Sequence, residues 1–255
     1  MAGIKTIPDI VFDINDLRDW GTIWRMPKRN PNAEEKKKAG CPALLGDCFS
    51  KKQGMDFGKK MIDPTVAKAL ATMLGDIPVV TPINSSVLLP PPRYPDCIEI
   101  GDTKVVGGIR SQNFDIVYRP DGIRIAYDSK TLNDAASIKK NWNNMINDIA
   151  AEATTVHTRF PYALALFFIV IPKPAIHINQ AMDIIRTLER MNLRLSVQDE
   201  NHRAESIALV FWNPDTGEID PDLPGLASNL RLEKFAERIE EVYLSRYKGL
   251  PPHER

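Results

Sequence analysis

Cysteine, surplus charge and long hydrophobic runs are all scarce in this sequence, and each scarcity closes off a class of answers. Only three cysteines occur, Cys41, Cys48 and Cys97. An odd count without a secretory leader argues against a disulfide framework. Cys41 and Cys48 stand too far apart for a CxxC zinc knuckle and no histidine pair at ligand spacing lies near them, so reduced thiols are expected. Charge of one sign is not in excess, because 33 basic residues balance 33 acidic ones. A whole-protein electrostatic argument for binding a polyanion is therefore absent, and any charged binding surface would have to come from local clustering. The longest apolar run, Tyr162 to Ile171, is too short to cross a bilayer as a helix. The amino-terminal MAGIKTIPDIVFDIND puts acids where a secretory core would be apolar, so a cytoplasmic protein is expected. No internal repeat is visible. Gly107-Gly108 lacks the pattern of a phosphate-cradling loop, and no nucleophile–His–acid triad is suggested. His157 reads as a partner for the end of its helix rather than as a catalyst.

At 255 residues the chain can bury one large α/β core. Residues 1–62 form the least regular part: a short helix around Ile14–Trp24, then WRMPKRNPNAEEKKKAG and SKKQGMDFGKK. This basic region is either a solvated surface or an arm that contacts the DNA backbone. A main domain is expected over 63–255. Asp63 as N-cap, Pro64 at the first position and Gly75 beyond the end predict a helix through Leu74. A proline-rich connector follows, with Thr81-Pro82, Pro90-Pro91-Pro92 and Tyr94-Pro95, and serves as a hinge or a rigid wrap.

Strands begin at Cys97. CIEIG alternates, VVGGIR continues it or starts another strand, and NFDIVYR is followed by the turn tripeptide Pro120-Asp121-Gly122 and the returning IRIAYDSK. Residues 113–130 thus read as a β-hairpin. Ile138, Trp142, Met145, Ile146, Ile149, Ala153 and Val156 make the apolar stripe of a helix over 135–156. Tyr162–Ile171 reads as a strand buried on both faces. A helix over 178–191, a strand over Ser206–Trp212 and a helix over Leu232–Tyr247 complete an α/β fold with a mixed central sheet flanked by helices.

The chemistry gathers at the end of the hairpin. In a strand, residues two apart share a face, so Asp128 and Lys130 project together. Asp115 comes from the partner strand, with Phe114 and Ile116 expected to face away from it. Two convergent carboxylates suit Mg²⁺, with water and phosphate oxygens completing the octahedron. The ion would polarise a scissile phosphate and lower the pKa of a bound water, and Lys130 would orient that water and offset charge growing on phosphorus.

An acid in one strand, a tight hairpin, Asp128-Ser129-Lys130 ending the next strand, an amphipathic helix and a buried strand follow one another in order. This order resembles the PD-(D/E)xK nuclease superfamily, and within it the type II restriction endonucleases, over roughly residues 63–172. The resemblance implies a restriction-endonuclease-like core, Mg²⁺ held by Asp115 and Asp128, Lys130 assisting the attacking water, double-stranded DNA as substrate and a homodimer that cuts both strands. Phe114 precedes Asp115 where the family often has proline. The literal Pro120-Asp121 lies in the turn and is read as a decoy. Many relatives carry a Glu on the preceding helix, but Thr65–Leu74 contains none. Glu99 is either an extra acidic ligand or an exposed strand carboxylate.

Base-edge readers are commonly Arg, Asn and Gln. Asn133, Lys139, Lys140, Asn143, Asn144 and Asn147 are candidates to touch DNA, or else form a solvated or dimer-facing surface. Arg110, Ser111 and Gln112, just before the Asp115 strand, are similar candidates. Two alternatives stay open: a non-catalytic nucleic-acid or protein-binding module on the same fold, and a repair or general nuclease.

Overall fold

The computed structural model describes residues 3–29, 44–82, 93–94 and 96–253. Much of the basic stretch after Trp24 and most of the proline-rich connector lie outside these residues. A helix α1 (Ile14–Arg25) opens the chain, capped by the Asp13 side chain. A two-stranded antiparallel pair follows, β1 (Lys28–Arg29) with β2 (Leu44–Leu45).

Helix α2 (Lys51–Phe57) starts in a capping box between Ser50 and Gln53. It does not stop before Asp63. A π-helical turn, Gly58–Ile62, carries it straight into α3 (Asp63–Met73). Asp63 is therefore not an N-cap: its own N–H bonds back to the Gly58 carbonyl. Pro64 brings no N–H to a helical ladder and its ring crowds the preceding turn. The wider π turn sits where that irregularity falls, in line with the frequent use of such turns at functional sites.

The central sheet has six strands in sequential order: β3 (Val79–Val80), β4 (Ile98–Val106), β5 (Ser111–Tyr118), β6 (Ile125–Thr131), β7 (Leu164–Pro172) and β8 (Ser206–Trp212). The β4–β5–β6 pairs are antiparallel, while β3–β4, β6–β7 and β7–β8 are parallel. Helices α4 (Ile138–His157) and α5 (Ile178–Met191) make the two crossovers, and α6 (Leu232–Tyr247) packs on β7 and β8. This is a mixed-sheet α/β architecture. CIEIG and VV belong to one strand, β4, broken in register between Ile100 and Thr103. All nine residues of β7 are buried, as its unbroken apolar run requires of a central strand.

The main core takes in Ile7, Ile10, Leu17, Trp24, Phe49 and Phe57 together with the sheet and its helices. The described parts of the first sixty residues are thus packed into the body of the protein, and the boundary expected after residue 62 falls inside a continuous helix. Trp24 donates its indole N–H to the Asn133 carbonyl at 2.5 Å, which ties α1 to the end of β6. A second, smaller cluster joins Val105, Phe114, Val117, Ala126 and Val156 on the α4 side. Among the described residues, no helix is long and apolar enough to cross a membrane.

Candidate active site

Strand β5 changes face at Asp115. Ile116 and Tyr118 enter the main core, whereas Phe114 joins the second cluster and Gln112 bonds Glu152 of α4. Phe114 and Ile116 therefore do not face the same way, contrary to simple alternation. The cause lies opposite, where β4 breaks register at Gly101-Asp102 and Gly101 takes a φ of +113°, a value that favours glycine. The β5–β6 ladder closes only over Ile116–Tyr118 and Ile125–Tyr127. Past it the backbone is free to seat a carboxylate between the strands.

Asp115 fills that seat. Its Oδ2 accepts from the Ser129 N–H and from the Ser129 hydroxyl, both at 3.0 Å, and its carboxyl group lines the same cleft as Asp128, whose pKa it helps to raise. Lys130 donates to Asp128 and, at 2.8 Å, to Glu152 Oε1. The three residues expected to converge do converge. Burial, reinforced by Asp115 and Glu152 and opposed by Lys130, pushes the Asp128 carboxyl well above the usual carboxylate range. Burial also raises Glu152, against the pull of Lys130. Burial alone would lower Lys130, but Asp128 and Glu152 outweigh it and hold the ammonium protonated above its ordinary range.

Two further acids stand here that the sequence pattern does not place at the site, Asp63 reading there only as an N-cap. Asp63, placed by the π turn, is 2 % exposed. Its pKa is pushed up to about 8 by burial and then by the charge of Asp115, while Ser129, Lys59 and Tyr127 pull the other way. Glu152 is 4 % exposed and braces Lys130. Each had a signal, because each is an acid on the apolar stripe of its helix: Asp63 with Val66, Ala67 and Leu70, and Glu152 with Met145, Ile149 and Val156. A buried polar residue is the informative exception to the rule of apolar interiors.

The other candidates scatter. Glu99 is neither a ligand nor exposed; it is buried and bound by the Arg119 guanidinium at 2.6 and 2.8 Å. Asp121 pairs with Arg124 in the turn, away from the site. Asn133 is the exception: it lines the same cleft as Asp115 and Asp128 and bridges the Phe49 N–H and Thr131 Oγ1. Gln112 donates to Glu152 at 3.2 Å. Arg110, Ser111, Lys139, Lys140, Asn143, Asn144 and Asn147 are exposed. His157 is buried and contacts Glu205 and the Asn201 carbonyl.

A cleft of about 360 Å³ opens between the α2–π-turn wall and the ends of β5 and β6, with Asp63, Asp115, Asp128 and Ser129 in its lining. Among the described residues, no three acid, histidine or cysteine side chains converge closely enough to make a metal cage. Mg²⁺ commonly takes only one or two carboxylates and completes its shell with water and phosphate. The donors present fit such an ion: Asp63 Oδ1 and Glu152 Oε2 are buried without a hydrogen-bond partner, and the raised carboxyls mark negative charge that the protein leaves uncompensated. No protein-family model matches the chain, and no curated protein and no solved structure matches it either.

Proposed function

We propose that this chain is a Mg²⁺-dependent type II restriction endonuclease that hydrolyses double-stranded DNA at a short specific sequence and works as a homodimer. One observation carries it: Asp115, Asp128 and Lys130, drawn from two strands of the sheet, meet beside an open cleft with acid in excess of base. A pure binder of polyanions has no use for clustered carboxylates facing its ligand, which disfavours the binding-module alternative.

The chain's own groups divide the work. Asp115 and Asp128 hold the ion, with Ser129 fixing the orientation of Asp115 through its two hydrogen bonds. When bound, Mg²⁺ supplies a polarised phosphate and a more acidic water. Lys130, braced by Glu152, orients the attacking water and offsets the charge that develops on phosphorus. The exposed face of α4, with Lys139, Lys140, Asn143, Asn144 and Asn147, and the exposed Arg110 are offered as DNA contacts.

Incubation with several plasmids, with and without Mg²⁺, tests this. Discrete bands that need Mg²⁺ are the expected result. Smearing or nicking would make the protein a general or repair nuclease, and DNA left intact under all conditions would favour the binder. Lys130→Ala should cut at least ~100-fold more slowly, the scale seen when one preorganised electrostatic group is removed, while still binding the same DNA.

A further inference from the structure

The three motif residues leave the cleft itself with an unexpected charge. Its sheet-side lining carries Asp115, Asp128 and Ser129. Lys130 stands just behind that lining, its ammonium shared between Asp128 and Glu152 of α4. The ammonium groups that do line the cleft come from the helical wall, Lys51 and Lys59. Lys59 lies within the π turn. Gly58 beside it lets that turn press against β6, since a Cβ there would stand 3.0 Å from Ser129 Oγ. Lys59 Nζ donates to Asp102 Oδ2 at 2.9 Å, and Asp102 sits in the register break of β4, opposite Asp115. The same ammonium feels the charges of Asp115 and Asp63.

We propose that Lys59 is a phosphate-binding residue of this site, parked on Asp102 in the free protein and transferred to the DNA backbone when a duplex enters the cleft. The inference rests on the nuclease reading above. Geometry favours it: the side chains of Lys59 and Asp102 are 36 % and 57 % exposed, and an exposed lysine–carboxylate pair is weak and readily exchanged. A phosphate brought to Asp115 and Asp128 meets acids on the sheet side and, on the helical wall, Lys59, whose ammonium is already held at Asp102 opposite Asp115. A compact ammonium on a flexible stem suits such a transfer.

The test is binding of a short fluorescein-labelled duplex of mixed sequence by the full chain, with Ca²⁺ replacing Mg²⁺, across a salt series. Lys59→Met should weaken binding about tenfold and lower the slope of log affinity against log salt by about one, as loss of one phosphate contact does. Lys59→Arg should restore most of the affinity, and Asp102→Asn, which removes the parking acid, should tighten binding. Calorimetric titration with Ca²⁺ should find ion binding intact in Lys59→Met, and Lys234→Met on α6 should change nothing. A wild-type protein that binds the duplex, with Lys59→Met matching it in affinity and salt slope, would overturn the lysine assignment alone. Equal loss in Lys59→Met and Lys59→Arg, or loss of Ca²⁺ binding, would overturn it in favour of a structural role. No duplex binding by the wild type, with or without Ca²⁺, would overturn the nuclease reading and this residue's role together.

Discussion

Two groups of buried charges lie against the same sheet, and they are built on opposite rules. Around Glu205, every oxygen is taken: Oε1 accepts from Arg194 and Arg246 at 2.9 Å each, and Oε2 from the Ala165 N–H at 2.8 Å, with His157 Nε2 at 3.0 Å. Burial works to raise its pKa, but His157, Arg246 and the Ala165 N–H overcome it and hold the carboxyl below its ordinary value. Around Asp128 the balance is reversed, with Asp63, Asp115 and Glu152 close by and Lys130 as the cation that ties them to α4. There burial wins, and Asp63, Asp128 and Glu152 are raised. The buried Glu99–Arg119 pair resembles the first group, since both its oxygens are bound. Burial alone therefore does not mark a working site. A buried acid whose charge the protein leaves unanswered marks a candidate site.

The contrast can be broken most forcefully at Glu205. Glu205→Ala leaves Arg194 and Arg246 buried without their acid, which costs about 3–5 kcal/mol, read as a lowered midpoint in urea. The pH dependence follows from the lowered pKa. The unfolded carboxyl titrates near pH 4.3, so the stabilisation is fully present above that pH and is lost as pH falls through the lower folded value. Glu205→Gln should flatten this acid limb of the stability curve. Neither change should respond to Mg²⁺. A Glu205 variant that unfolds like the wild type would place the cluster outside the stabilising framework.

The opposite group should respond to a cation. A divalent ion that binds only the folded chain stabilises it by about 2.7 kcal/mol at a hundred times its dissociation constant. Melting temperature should therefore rise with Mg²⁺ or Ca²⁺ in the wild type and stay flat in Asp115→Asn, which keeps the shape of the side chain but removes its charge. A shift of equal size in Asp115→Asn would move the ion elsewhere.

Much of this framework is legible in the amino-acid pattern alone. The apolar run before Pro172 forms the fully buried β7, Pro120-Asp121-Gly122 forms the turn, and the stripe from Ile138 to Val156 forms the inner face of α4. Local chemistry decides each of these, and so the pattern suffices. Where a distant partner decides, it does not. Glu99 at an alternating strand position looks exposed until Arg119, twenty residues on, folds over it. Asp63-Pro64 reads as a helix start in any local window, and only packing of Phe57 and Met61 into the core carries the helix through it. Asn133, at the edge of the cleft, also braces Phe49 and, through its backbone, Trp24, and neither contact shows in its local sequence.

Asp63 offers the smallest and most specific way to sharpen the contrast. Its carboxyl titrates near 4 when unfolded and near 8 in the folded chain, because of burial first and Asp115 second. The sign is the reverse of Glu205. Below pH 4 both states hold the proton and no penalty exists. As pH rises toward 8 the unfolded chain releases the proton more readily, so the ion-free fold loses stability, and above 8 the loss is complete. Asp63→Asn removes the charge and places an amide where Oδ1 has no partner. A buried polar atom left unsatisfied costs about 1–3 kcal/mol and offsets part of that relief, so the variant should gain about 1 kcal/mol at neutral pH without divalent ions. Urea midpoints measured from pH 5 to 8 should decline less steeply than in the wild type. Saturating Mg²⁺ should close the gap by answering the same charge in the wild type. Parallel midpoints for the two proteins across that range would show that Asp63 carries no unanswered charge, and would return it to the ordinary residues of its helix.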